Sequence, residues 1–190
     1  MGKIILASSS PRRADILKLH NIKFEVIPSP YQEDHTVTDF SYAFVEKLAY
    51  NKAYAVLPLV KEPAVIIGAD TVVVLDGKIL GKPHDYDEAF DMLKKLSDRK
   101  HYVVTSIAVI NTASGKEKIR SVTSKVEFEK LTNEQIDFYI KTFKPYDKAG
   151  SYGIQEMPEG YIKSYEGSLE NIIGLCGKTV SEMLRNFYCL

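Results

Sequence analysis

Six charged side chains from five separate segments, Arg12, Arg13, Lys52 and Lys82 with Glu33 and Asp70, are the residues that could do chemistry in this sequence. Four cations can neutralise phosphate oxygens, and two carboxylates can hold a divalent metal or activate water. Such a set suits enzymatic attack on a polyphosphate. The two arginines come with an anion site of their own, because Ala7-Ser8-Ser9-Ser10-Pro11-Arg12-Arg13 joins a short apolar run, Ile4-Ile5-Leu6, to a helical pattern. Ser10 is a good N-cap and Pro11 fits the first helical position. Free N–H groups and a partial positive charge gather at such a helix start, and arginines in its first turn oppose the dipole and call for an anionic partner. A solvated pair on an exposed helix face is the structural alternative.

The remaining charges sit where elements must position them. Asp70 interrupts Ala64 to Leu75, which reads as a strand apolar on both faces, with Ile66 and Val72 on the same face as the acid. A buried acid must be paired, protonated or bound to a metal; the alternative is a structural Asp capping a loop. Period-two alternation sends Asp70 and Thr71 to opposite faces. Both can reach one ligand only if the strand bends or ends there, and Gly68 would allow a bend. Lys52 falls on the buried side of a helix from Ser41 to about Leu57, striped by Phe44, Val45, Leu48, Ala49, Ala55 and Val56. It either snorkels to the rim of the core or points into a cavity that holds negative charge. Lys82 follows Gly81 and precedes Pro83, after an Asp76-Gly77 hairpin turn, and could equally be a solvated lysine. Glu33 and Asp34 lie in a polar loop, where plain surface decoration is the other reading.

Around these residues the pattern alternates between strands and helices. The first helix carries Ala14, Ile16, Leu17 and Leu19 on its apolar side, and residues 23–28 read as a second strand closed by Pro28 and Pro30. Asp85 and Glu88 resemble a capping box ahead of Ala89, Phe90, Met92, Leu93 and Leu96. His101 to Ile110 reads as a strand, Ser114-Gly115 as a turn, and Val122, Ser124, Val126 and Phe128 as the buried side of a strand wet on its other face. Thr132 and Gln135 cap a helix with Ile136, Tyr139, Ile140 and Phe143 inward. The glycines of Asp147 to Gln155 imply close backbone packing or a loop folded over a ligand, and Gly167 to Gly174 is similar in texture. A helix from about Lys178 to Phe187 closes the chain. No repeat, low-complexity tract or linker is present.

Composition narrows the classes of function. The chain has 190 residues, 45% of them hydrophobic, enough for one core or two lobes sharing a cleft. Lysine plus arginine and aspartate plus glutamate both number 25, so the net charge is zero and neither nucleic acid nor an anionic membrane is drawn by the overall field. Cys176 and Cys189, without a CxxC or a His cluster, indicate a reducing cytosol and argue against zinc. No segment has transmembrane length or the pattern of a signal peptide, so the expected location is cytoplasmic. Walker lysine loop, GxSxG and HExxH are all absent.

Five segments, Leu6-Ala-Ser-Ser-Ser-Pro-Arg-Arg13, Gly68-Ala-Asp-Thr-Val-Val73, Leu80-Gly-Lys-Pro83, Asp147-Lys-Ala-Gly-Ser-Tyr-Gly-Ile-Gln155 and Gly167-Ser168 with Asn171, occur in an order that resembles the Maf family across nearly the whole chain. The resemblance implies a single α/β domain over residues 1–190. Its mixed twisted central sheet would be flanked by helices, with two lobes and the active-site cleft between them, as in the inosine-triphosphatase type of fold. It also implies a nucleotide pyrophosphatase that splits a nucleoside triphosphate into monophosphate and pyrophosphate with Mg2+ or Mn2+, often as a homodimer. Carried over, Asp70 matches the general base, and Glu33, Lys52 and Lys82 match the other charged site residues. Glu33 with Asp70 would hold the metal. Ser8, Ser10, Arg12, Lys52 and Lys82 would bind phosphate. Arg13, Thr71 and Gln155 resemble the branch acting on dTTP and UTP; the 7-methyl-GTP branch carries Trp, Gln and Glu at these places. Thr71 and Gln155 would contact the pyrimidine, since an amide can pair with an imide edge. Three positions depart from the family pattern: Ser106 replaces a usual Gly, Cys176 a usual Pro, and Glu170 a small or polar residue. The competing classes are a nucleotide sensor regulating division without catalysis, and, further off, a nucleic-acid binder.

Overall fold

The computed structural model describes residues 2–33 and 37–188, so Asp34 and Cys189 lie outside the described residues. Long β-branched runs with little polar alternation build the middle of a sheet covered on both faces. They become β3 (Ala64–Leu75) and β5 (Lys100–Asn111), paired antiparallel from Val65 opposite Asn111 to Val74 opposite Tyr102. On one side of this pair lie β1 (Lys3–Leu6), parallel to β3, and the edge strand β2 (Glu25–Val26). On the other lie β6 (Glu117–Phe128) and β7 (Ile162–Glu166), both antiparallel. The order β2-β1-β3-β5-β6-β7, with β4 (Lys78–Leu80) folded back on β3 by the Asp76-Gly77 turn, makes a mixed seven-stranded sheet.

Helices cover the two faces unequally. One face packs Ile5, Ala7, Ile66, Ala108 and Ile110 against Ala49, Ala53 and Val56 of α2 (Tyr42–Tyr54) and the residues just after it. On the opposite face, Leu6, Ile67 and Ile107 meet α1 (Pro11–Leu19) and α6 (Gly177–Tyr188). Further along that face Val73, Val103, Val126 and Phe128 meet α3 (Tyr86–Leu96) and α4 (Asn133–Phe143). Caps follow the sequence expectations in part. Thr132 and Gln135 form a reciprocal capping box, whereas Glu88 reaches back to the His84 N–H rather than to the Asp85 N-cap. No helix among the described residues is long and apolar enough to cross a membrane.

Several expectations need correction. Leu19 is 75% exposed, because α1 ends there; Ile16 and Leu17 are buried in the core and Ala14 packs against it partly buried. The second strand shrinks to two residues, since it meets only the last two of β1. Helix α2 stops at Tyr54, and Pro58 sits inside a following 3-10 turn, Leu57–Leu59. Strand β7 and the short α5 (Leu169–Ile173) were not anticipated; β7 is mostly polar and exposed, and α5 has only five residues. The three departures from the family pattern find local partners. Ser106 hydrogen-bonds Ser121, whose hydroxyl donates to Glu46. Cys176 packs beside Leu175 and Val180. Glu170 joins His20 to the Gly177 N–H at the start of α6.

His101 is a buried imidazole in this core, 2.7 Å from the Tyr152 hydroxyl and edge-on to Phe128. Burial pushes it down from 6.5 to about 4. The unfolded chain therefore takes up this proton first as pH falls, and the contribution to stability, complete above pH 6.5, is lost on the way down to pH 4. Between pH 7 and pH 5 the group should remove about 2 kcal/mol. Urea unfolding at both pH values should show that much less acid sensitivity in His101→Phe than in the wild type; equal sensitivity would rule the residue out.

Candidate active site

The site is built on a gap in the pairing of β3. Strand β1 accompanies it only as far as Ile67, and β4 joins the same edge only from Val73, so residues 68–72 have no strand beside them on that side. A cavity of about 910 Å³ opens against this edge, near the upper end of the usual size for ligand pockets. The chain leaving β1 passes Ser8, Ser9 and Ser10 along its rim before turning into α1, which places a helix N-terminus and strand ends together, the usual position of ligands in open α/β sheets. Ser10 has N-cap geometry, but its side chain makes no capping bond.

The strand neither bends nor ends at Asp70. Pairing with β5 runs unbroken through Asp70 opposite Ser106 and Thr71 opposite Thr105, so the two side chains leave on opposite faces. Both still border the cavity, because the unpaired edge exposes the two faces to it. Gly68 serves a different purpose from the one expected: a Cβ there would collide with Ala49 O and with the Ala53 backbone N and Cβ, so glycine lets α2 lie directly on the sheet. That close approach brings Lys52, one turn from Ala49 and beside Ala53, down to Asp70.

On the α2 face, the Lys52 ammonium is 2.5 Å from Asp70 Oδ1 and 2.8 Å from Glu33 Oε1. The Asp70 residue is 5% exposed. Burial this deep demands a partner, and Lys52 supplies it. On the other face, Arg13 donates from Nε to Gly174 O at 3.0 Å, from Nη1 to Ser8 Oγ at 3.3 Å and from Nη2 to Thr71 Oγ1 at 3.2 Å. Burial pulls its guanidinium below the usual value, while the charges of Asp70 and Glu33 act the other way.

The outer wall comes from the segment after α4. Arg12 Nη1 is 3.0 Å from Asp147, which Lys148 also contacts at 2.8 Å, and Lys148 reaches on to Glu156 at 3.1 Å. Burial works to raise the Asp147 carboxyl, but hydrogen bonds from Lys148 and Arg12 outweigh it and hold the group below its ordinary range. Gly150 adopts φ of 65° where a side chain would strike Val73, and its N–H donates to Gly81 O, tying this segment to the loop that carries Lys82. Lys82 and Gln155 are exposed on the rim. Thus Ser8, Ser10, Arg12, Arg13, Glu33, Lys52, Asp70, Thr71, Lys82 and Gln155 all border one cavity.

Comparison with known proteins gives the family. Residues 3–187 match the family described as Maf-like protein. The chain belongs to the Maf family. It is 46% identical over 175 residues to a dTTP/UTP pyrophosphatase of Thermosipho africanus, covering 91% of this chain and 87% of that one. It is 41% identical to a dTTP/UTP pyrophosphatase of Syntrophus aciditrophicus, covering 97% and 89%. A HAM1 protein from Coxiella burnetii shares the fold, with a TM-score of 0.52 at 18% identity over 98% of this chain and 100% of that one.

Two features of this Maf cleft escaped the sequence. Lys148 is a cation only 9% exposed at the cavity wall, and Asp147 links it to Arg12. Their segment stood out for its glycines, and nothing local told that its lysine would turn inward. The surroundings of Thr71 are the second: its Oγ1 stands among Arg13, Thr105 and Gly174. No group of three or more His, Cys, Asp or Glu side chains gathers as a metal site among the described residues. Glu33 and Asp70 nevertheless bring one carboxylate oxygen each to the Lys52 ammonium. Two hard oxygen donors suit a cation such as Mg2+, which would have to take the place between them that the Lys52 ammonium now fills.

Gly68→Ala tests whether the approach of α2 matters to the site. It should cost about 1–3 kcal/mol through overpacking. By moving Lys52 away from Asp70 it should also lower turnover on the order of 100-fold. Urea unfolding and steady-state rates report the two effects, and a variant with wild-type turnover would detach the helix contact from function.

Proposed function

We propose that this chain hydrolyses dTTP and UTP, in the cytoplasm, to the nucleoside monophosphate and pyrophosphate. The observation that carries the reading is the convergence of every sequence-chosen residue on one cavity at the open edge of β3. Its relatives named dTTP/UTP pyrophosphatase support the choice of substrate.

In this reading the triphosphate lies against the α1 N-terminus, with Ser8 and Ser10 at its rim and Arg12, Lys52 and Lys82 neutralising phosphate oxygens. Lys52 already bridges two carboxylates, so an entering phosphate offers it a further anionic partner and opens an Asp70 oxygen to water. Asp70 then orients that water toward the α-phosphorus and takes its proton as the bond to the bridging oxygen breaks and pyrophosphate leaves. Glu33 and Asp70 would hold a divalent cation, which when bound supplies charge neutralisation on the phosphates. Arg13, Thr71 and Gln155 form the specificity group, and the Gln155 amide offers both a donor and an acceptor to the imide edge of uracil or thymine.

Pyrophosphate release across a panel of triphosphates, with Mg2+ and after chelation, tests this directly. Preference for dTTP and UTP, loss on chelation and recovery with Mg2+ are expected. Asp70→Asn should fold normally and lose turnover by about 10²–10⁴-fold. Tight binding of a triphosphate without pyrophosphate release would make the protein a sensor instead, and normal turnover in Asp70→Asn would remove that residue from the mechanism.

A further inference from the structure

Thr71 has the position of a base contact but not the free valences of one. A threonine hydroxyl carries one proton and two lone pairs. Around Thr71 Oγ1 stand Thr105 Oγ1 at 2.9 Å, Gly174 O at 3.1 Å and Arg13 Nη2 at 3.2 Å. Arg13 can only donate and a carbonyl can only accept. Thr105 gives its own proton to Asn171 O at 3.1 Å, so toward Thr71 it is an acceptor. The Thr71 proton is therefore committed inward to Thr105 or Gly174, Arg13 holds one lone pair, and the other lone pair is enclosed against whichever of these two acceptors the proton does not take. No direction is left for a ligand.

Arg13, by contrast, keeps capacity. Among the described residues three of its five N–H groups are donated, to Gly174 O, Ser8 Oγ and Thr71 Oγ1, which leaves two for the cavity it lines. What holds these partners in place is a buried peg. Asn171 is fully buried, its Nδ2 donates to Val103 O and Ser124 Oγ at 3.0 Å each, and Ser124 also bonds the Ser168 carbonyl and N–H at the start of α5. Gly174 follows one turn later, so the peg in β5 and β6 sets where its carbonyl meets Arg13 and Thr71.

We propose that Thr71 selects the base without touching it, as a positioning residue that fixes Arg13 within a hydrogen-bond chain pinned by Thr105 and Asn171. Arg13 then offers only donors to the base. A ring carbonyl, as at the 4-position of uracil or thymine, satisfies them, and an exocyclic amino group, as in cytosine, leaves donor facing donor. This proposal rests on the pyrimidine triphosphate reading above.

The test compares Thr71→Val with Thr105→Val, a near-isosteric change one link further from the cavity. Both should lose the preference in kcat/KM for UTP over CTP by about tenfold, the scale of one hydrogen bond. Turnover at saturating UTP should stay within about threefold for Thr105→Val, and Thr105→Ser should restore the preference. If Thr105→Val does not fold, Ser124→Ala, which removes an Asn171 partner, should show the same loss. Wild-type preference retained in the Thr105 or Ser124 variant while Thr71→Val loses it would mean direct contact and overturn the proposal. Proton exchange at Arg13 Nε–H, followed by NMR in the free protein with Arg13→Lys as the assignment control, needs no substrate. It should be slow in the wild type and faster in Thr105→Val. Unchanged exchange would overturn the network even if the substrate reading itself had failed, and altered exchange would uphold it.

Discussion

Adjacent residues of an extended strand project to opposite faces, and in β3 this alternation falls on Asp70 and Thr71. In a fully paired strand the two side chains would serve separate cores. Here β1 stops short and β4 starts late, so the five residues between them present an open edge from which both faces are reached. The cleft thus acquires a chemical side, where Lys52, Glu33 and Asp70 meet, and a selecting side, where Arg13, Thr71 and Gly174 meet. The sheet itself keeps them apart.

Each side depends on a close backbone approach. On the chemical side α2 lies on Gly68, which fixes how deeply Lys52 can descend. On the selecting side α1 and α5 come together because Arg13 and Thr71 share the Gly174 carbonyl. A third layer, the segment after α4, closes the rim through Asp147 and Lys148. Charged groups buried this far are costly unless paired, and each cation among Arg12, Lys52 and Lys148 has a carboxylate within hydrogen-bonding reach.

Much of this was readable from residue types. An acid inside an apolar strand, a lysine on the buried stripe of a helix and a serine-proline helix start each violate a local rule, and such violations mark sites. The ends of β3 and the Asp76-Gly77 hairpin followed from pattern alone. What stayed hidden depends on register between distant segments. Nothing near Gly68 says that its missing Cβ faces α2 rather than permitting a bend. The inward turn of Lys148 requires Glu156 and Asp147 to be placed around it. The enclosure of Thr71 involves residues 13, 105 and 174 at once.

The division of the cleft is most directly tested with Lys52→Met, which removes the charge on the chemical side and leaves the selecting side untouched. Rates of pyrophosphate release from UTP and CTP should both fall on the order of 100-fold, with the ratio of their kcat/KM values unchanged. A ratio that collapses together with turnover would contradict the account, because it would show that the two sides act as one.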